Sequence, residues 1–268
     1  MHFTVLVVGD NLEEQLAPFQ ENNMGDCPAE HMEFEPIDLV GEGYKTVAEA
    51  VADNYEEHEG KAGFWTNPNS FWDWYVLGGR WQGMIRLKGG AAGEKGRPGT
   101  MGAPDTDPLN ADSALVKDID FEGMYNEAMG KAGTRYDLAM GIFGELPVNK
   151  TFEEVFNETK ESHPEGTPHS ELRNIASDLY QKQPRIVALA TAREVDPHLG
   201  ISADDFVISK EDYVANAAQN RFITNGILHN GEHSSADHME KDEFRKLFKE
   251  TLEGLTPDTR LSIVDCHV

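Results

Sequence analysis

The sequence predicts an α+β fold: a single mixed domain over 1–268, with a central sheet that includes the N- and C-terminal strands and helices packed on it. Three observations carry this. The chain opens on FTVLVV and closes on LSIV, each apolar on consecutive positions, as in strands buried on both faces. Strand-like and helix-periodic segments interleave between them without strict alternation, and the termini of one domain often lie close together. A Gly-rich stretch, about 89–112, predicts one long flexible excursion from the sheet.

The elements follow in order. Phe3 to Val8 is a buried strand, ended by Gly9-Asp10-Asn11. Asn11 is a candidate N-cap for a short helix that Pro18 cuts off. Met32 to Glu35 alternates and reads as a strand. Thr46 and Glu49 form a capping box for a helix reaching about His58. Ser70 and Asp73 start a second box, and the spacing of Phe71, Trp74 and Tyr75, with Gly78 at a C′ position, favours a one-to-two-turn helix over a strand. Trp81 to Leu87 reads as a strand. In the Gly-rich stretch, glycine recurs every third residue from Gly90 to Gly102, but with too few triplets and too little proline for a collagen helix.

Phe121 opens the longest helical pattern, through Met124, Ala128, Ala132, Tyr136, Met140 and Phe143, with Gly130 and Gly133 weakening its middle. Thr151 with Glu154 caps another helix, 163–169 is a turn, and Ser170 begins a third helix. After Pro184, RIVALATA reads as a buried strand. Ser209 with Asp212 starts a helix, Arg221 to His229 is a strand, and Asn230-Gly231 signals a hairpin. Met239 to Leu255 is amphipathic and helical, and RLSIVDCHV closes the chain as a strand.

Composition bounds the function. With 39% hydrophobic and 26% charged residues the chain is globular in type. It holds 48 acids against 23 bases, a net charge of −25, which disfavours direct contact with nucleic acid or anionic membranes. A nucleic-acid mimic would need ordered carboxylate rows; Glu56-Glu57 and Asp204-Asp205 are only pairs. FTVLVVGD is too short for a signal core, and no apolar run approaches the ~18 residues of a membrane span. Two cysteines, Cys27 and Cys266, make neither a disulfide framework nor a zinc ribbon. A cytoplasmic setting is therefore expected.

The richest segment is FWTNPNSFWDWYVLGGRWQG, which gathers all four tryptophans, Trp65, Trp72, Trp74 and Trp81. Trp72, Asp73, Trp74, Tyr75, Gly78, Gly79, Arg80 and Trp81 are candidate ligand-binding residues: a guanidinium beside indoles can hold an anion while rings stack on a base. The competing reading pairs Arg80 with Asp73 in a structural knot. Asp118 and Asp120 resemble half of a two-metal site, or else favour the N-terminus of the helix that follows. Asp265 and His267 share one face of the last strand, with Cys266 on the other, core-facing side. His229, Glu232 and His233 match an H-x-x-E-H spacing, but that chemistry needs a helix and Asn230-Gly231 makes a turn. No cofactor or structural metal is expected.

Three stretches, WDWYVLGGRW, VKDIDFEGM and the terminal SIVDCHV, together resemble an uncharacterised family of phage and bacterial proteins with WDWY-x-x-GGRW, GDIDFEGM-like and VDCHI-like boxes. FTVLVVGD, LAPF and the stretch from Asp204 to Tyr213 fit as well, so the resemblance runs nearly end to end. The chain departs from the pattern at Lys117-Asp118, at Val268 and at 233–239, where the family carries a Gly-Trp-Trp-Gly-type stretch. The resemblance implies a phage-associated cytosolic protein and no particular chemistry. The leading expectation is a phage-type accessory protein that binds a small anionic or nucleotide-like ligand where the Trp-rich box, the Asp118–Asp120 stretch and the chain end meet. The alternative is an acidic protein that blocks a basic host or nucleic-acid-handling protein.

Overall fold

The computed structural model describes every residue except Met24, Asp26 and Met101. The first part of the chain carries β1 (His2–Val8), α1 (Leu12–Leu16), β2 (Glu33–Pro36), α2 (Val47–Ala52), β3 (Glu56–His58) and β4 (Lys61–Thr66). Six more strands follow: β5 (Trp74–Gly79), β6 (Ile85–Arg86), β7 (Gly93–Glu94), β8 (Arg97–Pro98), β9 (Asn110–Ala111) and β10 (Ser113–Leu115). Then come α3 (Phe121–Phe143), α4 (Phe152–Glu161), α5 (His169–Gln181), α6 (Pro184–Val195) and α7 (Lys210–Asn220). The chain ends with β11 (Gly226–His229), β12 (Glu232–Ser235), α8 (Lys241–Glu253) and β13 (Arg260–His267). Its residues gather in two compact units, one of 1–121 with 222–268, the other of 122–221. Among the described residues no helix is long and apolar enough to cross a membrane.

In the first unit the main sheet is mixed and runs β12-β11-β1-β13-β10-β7, with β5 also on β13. The expected neighbours are neighbours: β1 lies antiparallel to β13 over its whole length, from His2↔His267 to Val8↔Leu261, and parallel to β11. Continuous burial of Thr4 to Val8 and of Leu261 to Cys266 matches the unbroken apolar runs in the sequence. One face packs Val5, Val7, Val264 and Cys266 with Leu16, Trp72 and Leu228, flanked by Phe3, Phe19, Phe71 and Tyr75. On the hairpin between β11 and β12, Asn230 and Gly231 both take positive φ, 55° and 78°, the signature of a tight two-residue turn.

Several local readings change. The Trp-rich segment forms β5, not a helix, because Trp74 to Leu77 pair in register with His267 to Val264; sheet pairing overrides a weak helical spacing. The strand expected over Trp81–Leu87 shrinks to β6, since Trp81, Gln82 and Met84 donate backwards into successive turns. Asn11 does not cap α1 through its side chain but sits in the left-handed region at φ 59°. Helix α2 stops at Ala52, and Glu56–His58 pairs with β4 instead. The strand over Arg221–His229 begins only at Gly226. Met101 apart, which lies outside the described residues, the Gly-rich stretch is tied down and not an open loop: Lys95 holds Asp105 and Asp107, and Gln82 bridges Gly96 and Asp105.

The second unit is helical. RIVALATA is not a strand: with Pro184 at the first turn it becomes α6, burying Arg185 and Leu189 four apart while Val187 is half exposed. Its core joins Ala139, Phe143, Leu189, Ile201, Ala203 and Phe206. The Arg185 guanidinium lies 4.8 Å from the Phe143 ring centre and donates to the carbonyls of Leu146 and Phe206. Asp204 accepts from Asn149 (2.8 Å) and the Tyr180 hydroxyl (3.0 Å); burial, reinforced by this hydrogen bond, pushes the phenol up to about 12.

Two predictions follow from the first unit. Deleting 262–268 removes most of the strand that joins β1 to β5, so the truncated chain should lose its cooperative thermal transition; an unchanged melting temperature contradicts this topology. His233, wedged against Phe71 and Trp72, is held down to about 4 by burial and by the charge of His238. The unfolded chain, with an ordinary histidine, then binds a proton the folded chain refuses. Stability should be flat above about pH 7 and should fall by up to about 3 kcal/mol between pH 7 and pH 4 from this group. Denaturant melts of wild type and His233→Phe at both pH values measure the difference; equal pH dependence in the two refutes the assignment.

Candidate functional site

Three strands lie side by side where the chain begins and ends. Their register places His2, His267 and Trp74 in one row and Thr4, Asp265 and Val76 in a second. Alternation along each strand puts both rows on the same face, while Phe3, Cys266 and Tyr75 turn to the apolar core on the other. As expected, Asp265 and His267 share a face and Cys266 is fully buried opposite them, with burial pushing its thiol well up.

Each histidine on this face is held by a carboxylate. His2 Nδ1 is 2.8 Å from Asp265 Oδ1, and His267 Nδ1 is 2.9 and 3.0 Å from the two oxygens of Asp73. A carboxylate can only accept, so the geometry assigns the ring proton to Nδ1 in both and leaves each Nε2 as an acceptor; at His267 that nitrogen lies 3.4 Å from the Met1 ammonium, which donates to it. The two rings meet edge to face with centres 4.8 Å apart. Trp74 stacks on His267, 5.4 Å away and 10° from parallel, and meets His2 edge-on at 5.3 Å. The indole is 38% exposed, so its surface is open to a further ring. Burial works against ionisation of Asp73, but the His267 hydrogen bond and charge, with nearby backbone N–H groups, outweigh it and leave the carboxyl below its ordinary value.

The paired glycines explain how the second carboxylate is kept. At Gly78 and Gly79, with φ of 81° and 57°, β5 turns off the sheet and passes over Asp265. A Cβ on Gly79 would lie 2.3 Å from the Asp265 side chain, and one on Gly78 would lie 2.6 Å from Asp112 Oδ2. The turn lets the Arg80 backbone N–H donate to Asp265 Oδ2 at 2.9 Å. Asp112, fully buried, accepts from Gly83 and Gly96 at 2.5 and 2.7 Å; burial still raises its carboxyl against those donors. The Arg80 side chain is exposed and, among the described residues, makes no ion pair. It borders a cleft of about 350 Å³ with Gly79, Gln82, Pro98 and Gly99.

Asp73, Trp74, Asp265 and His267 lie together, and the backbone of Gly79 and Arg80 joins them at Asp265, but the pairing differs from the one the sequence suggests and the Arg80 guanidinium borders the cleft with Gln82 and Pro98 instead. Asp73 is bound to His267, not Arg80. The four tryptophans do not form one cluster. Trp65 packs with Phe34 and His58 in the small β2-β4-β3 sheet, Trp72 is buried in the core, and Trp81 lies in the turn after Arg80. Asp118 and Asp120 are not part of the site. They follow β10, whose Leu115 pairs with Arg260, and strand β13 then runs about 23 Å to His267. His229 and His233 lie on opposite faces of their hairpin, since His229 pairs with Glu232 and His233 with Leu228, so they cannot share one metal. Among the described residues no group of three or more metal-type ligands converges.

His2 is the residue the sequence reading missed. Its signal was present: in HFTVL the alternation places His2 and Thr4 on one side of an edge that pairs with the terminal strand. Asp112 was also missed, and nothing local to Ala111-Asp112-Ser113 marks it as the acceptor of two backbone donors. Comparison with protein-family models, curated proteins and solved structures gave no match.

Arg80 and Gly79 separate by mutation. Arg80→Ala should change stability by no more than about 0.5 kcal/mol, as for an exposed side chain without a partner. Gly79→Ala should cost roughly 2–4 kcal/mol, from the left-handed backbone and the clash with Asp265. Chemical denaturation of both variants decides; a large loss at Arg80 or none at Gly79 contradicts the geometry.

Proposed function

We propose that the protein binds a small anionic, nucleotide-like ligand on the face formed by His2, His267 and Trp74, beside Arg80. One observation carries this reading: in a chain of net charge −25, two carboxylate-anchored imidazoles flank an exposed, stacked indole, and the residue whose backbone N–H holds Asp265, Arg80, has an exposed guanidinium with no ion pair among the described residues. Protonated imidazole and guanidinium suit a phosphate, and the open surface of Trp74 suits a base. Asp73 and Asp265 orient the rings without competing for the ligand, because their oxygens are occupied by Nδ1–H and N–H donors. The reading includes a cytoplasmic, phage-type accessory role, in keeping with the resemblance of the sequence boxes.

Calorimetric titration with adenosine monophosphate, alongside adenosine and inorganic phosphate, tests it. The nucleotide should bind more tightly than either fragment. Trp74→Ala should weaken it ~5–150-fold, the worth of stacking one base. Equal affinity for phosphate and nucleotide, or no effect of Trp74→Ala, removes the proposal.

The rival reading, an acidic protein that binds a basic partner, has one observation of its own. Phe64 is 44% exposed in β4, directly beside Glu35, with Glu33, Glu56 and Glu57 exposed in the flanking strands. Capture of a basic peptide that is lost in Phe64→Ser, with no nucleotide binding, would favour that reading.

A further inference from the structure

The histidine pair is built for more than holding an anion. Lysine or arginine is enough to bind a phosphate. Here each imidazole is instead fixed at Nδ1 by its own carboxylate, the arrangement that sets the tautomer and steadies the imidazolium during proton transfer. The carboxylates are fixed in turn: Asp265 is 1% exposed and takes the Arg80 N–H on its second oxygen, while both Asp73 oxygens face His267. A buried carboxylate in a central strand is a poor source of stability compared with an apolar residue. The two rings are cross-strand neighbours, close enough to serve one phosphate.

We propose that this site hydrolyses a phosphodiester of the nucleotide type by paired imidazole general acid–base catalysis, an inference that rests on the ligand-binding reading above. In the step, a water oxygen forms a bond to phosphorus and gives its proton to Nε2 of the neutral imidazole. The bond from phosphorus to the departing sugar oxygen breaks, and that oxygen takes the proton from Nε2 of the protonated imidazole. Nothing is oxidised or reduced. The two rings end with protonation states exchanged and reset by exchange with solvent. Trp74 stacks the base, and Asp73 and Asp265, the latter held by the Arg80 backbone N–H, act as positioning residues.

The full chain is tested, in EDTA, on two diesters. Adenosine 2′,3′-cyclic phosphate has a sugar leaving group that needs a proton; the p-nitrophenyl ester of thymidine 5′-phosphate does not. Wild type should turn over both. His2→Ala and His267→Ala should each lose on the order of 10²–10⁴-fold in kcat on the cyclic substrate. On the p-nitrophenyl ester one of the two should recover to within about tenfold of wild type, which marks it as the acid. Asp73→Asn should lower kcat with KM little changed. If an alanine variant fails to fold, the corresponding His→Gln variant is read in its place. Adenosine monophosphate binding is measured in parallel. Binding without turnover of either diester overturns the hydrolytic proposal and leaves the binding reading standing; loss of both removes both. Equal losses in the two histidine variants on both diesters, or turnover that survives in the double variant, also overturns it.

Discussion

Strand β13 is the constraint on which the first unit depends. One of its edges is fully taken by β1, while the other is shared by two segments, β5 along Val264–His267 and β10 along Arg260–Ser262. Where one segment leaves and the other arrives, Ile263 N–H is satisfied by the carbonyl of Asp112, so the ladder is unbroken across the change of partner. This shared edge sets the register of both termini at once. With His2 opposite His267 and His267 opposite Trp74, the residues of the site are placed by backbone pairing and not by loops.

The change of partner has a chemical cost that the glycines absorb. Two carboxylates, Asp112 and Asp265, lie almost wholly out of water at the point where β5 departs. Each is met by backbone N–H groups: Arg80 on Asp265 and Gly83 on Asp112 follow the left-handed Gly78-Gly79 turn, and Gly96, from the Gly-rich stretch, completes Asp112. The result is a rigid support behind an open surface: the carboxylates and backbone are fixed, while the indole of Trp74 and the guanidinium of Arg80 remain exposed. Asp112 supports the turn and Asp265 supports an imidazole.

Much of this frame was legible. Unbroken apolar runs at both ends announced two buried strands, Asn230-Gly231 announced the hairpin, and Thr151 with Glu154 and Ser209 with Asp212 marked helix starts where α4 and α7 begin. The alternation of DCH correctly separated Cys266 from Asp265 and His267. Readings failed where a short pattern fits two periods. RIVALATA is apolar enough for a strand, yet its proline and alanines suit a helix, and only packing of Leu189 and Ile186 on Phe206 and its neighbours decides. Phe71, Trp74 and Tyr75 fit a helix until β13 offers them a partner. The Asp73–Arg80 pairing failed for a different reason: the true partner of Asp73 is 194 positions away, and no local spacing encodes it.

The central claim is that Asp73 and Asp265 hold both imidazoles by Nδ1–H and leave Nε2 unprotonated, to accept from a ligand or, at His267, from the Met1 ammonium until a ligand displaces it. Long-range ¹H–¹⁵N correlation of the histidine side chains reads this directly. The account predicts that, when neutral, His2 and His267 both carry their proton on Nδ1, against the Nε2–H form usual for free histidine, and that Asp73→Asn or Asp265→Asn perturbs only the ring it faces. Nε2–H tautomers at both positions in the wild-type protein would contradict it.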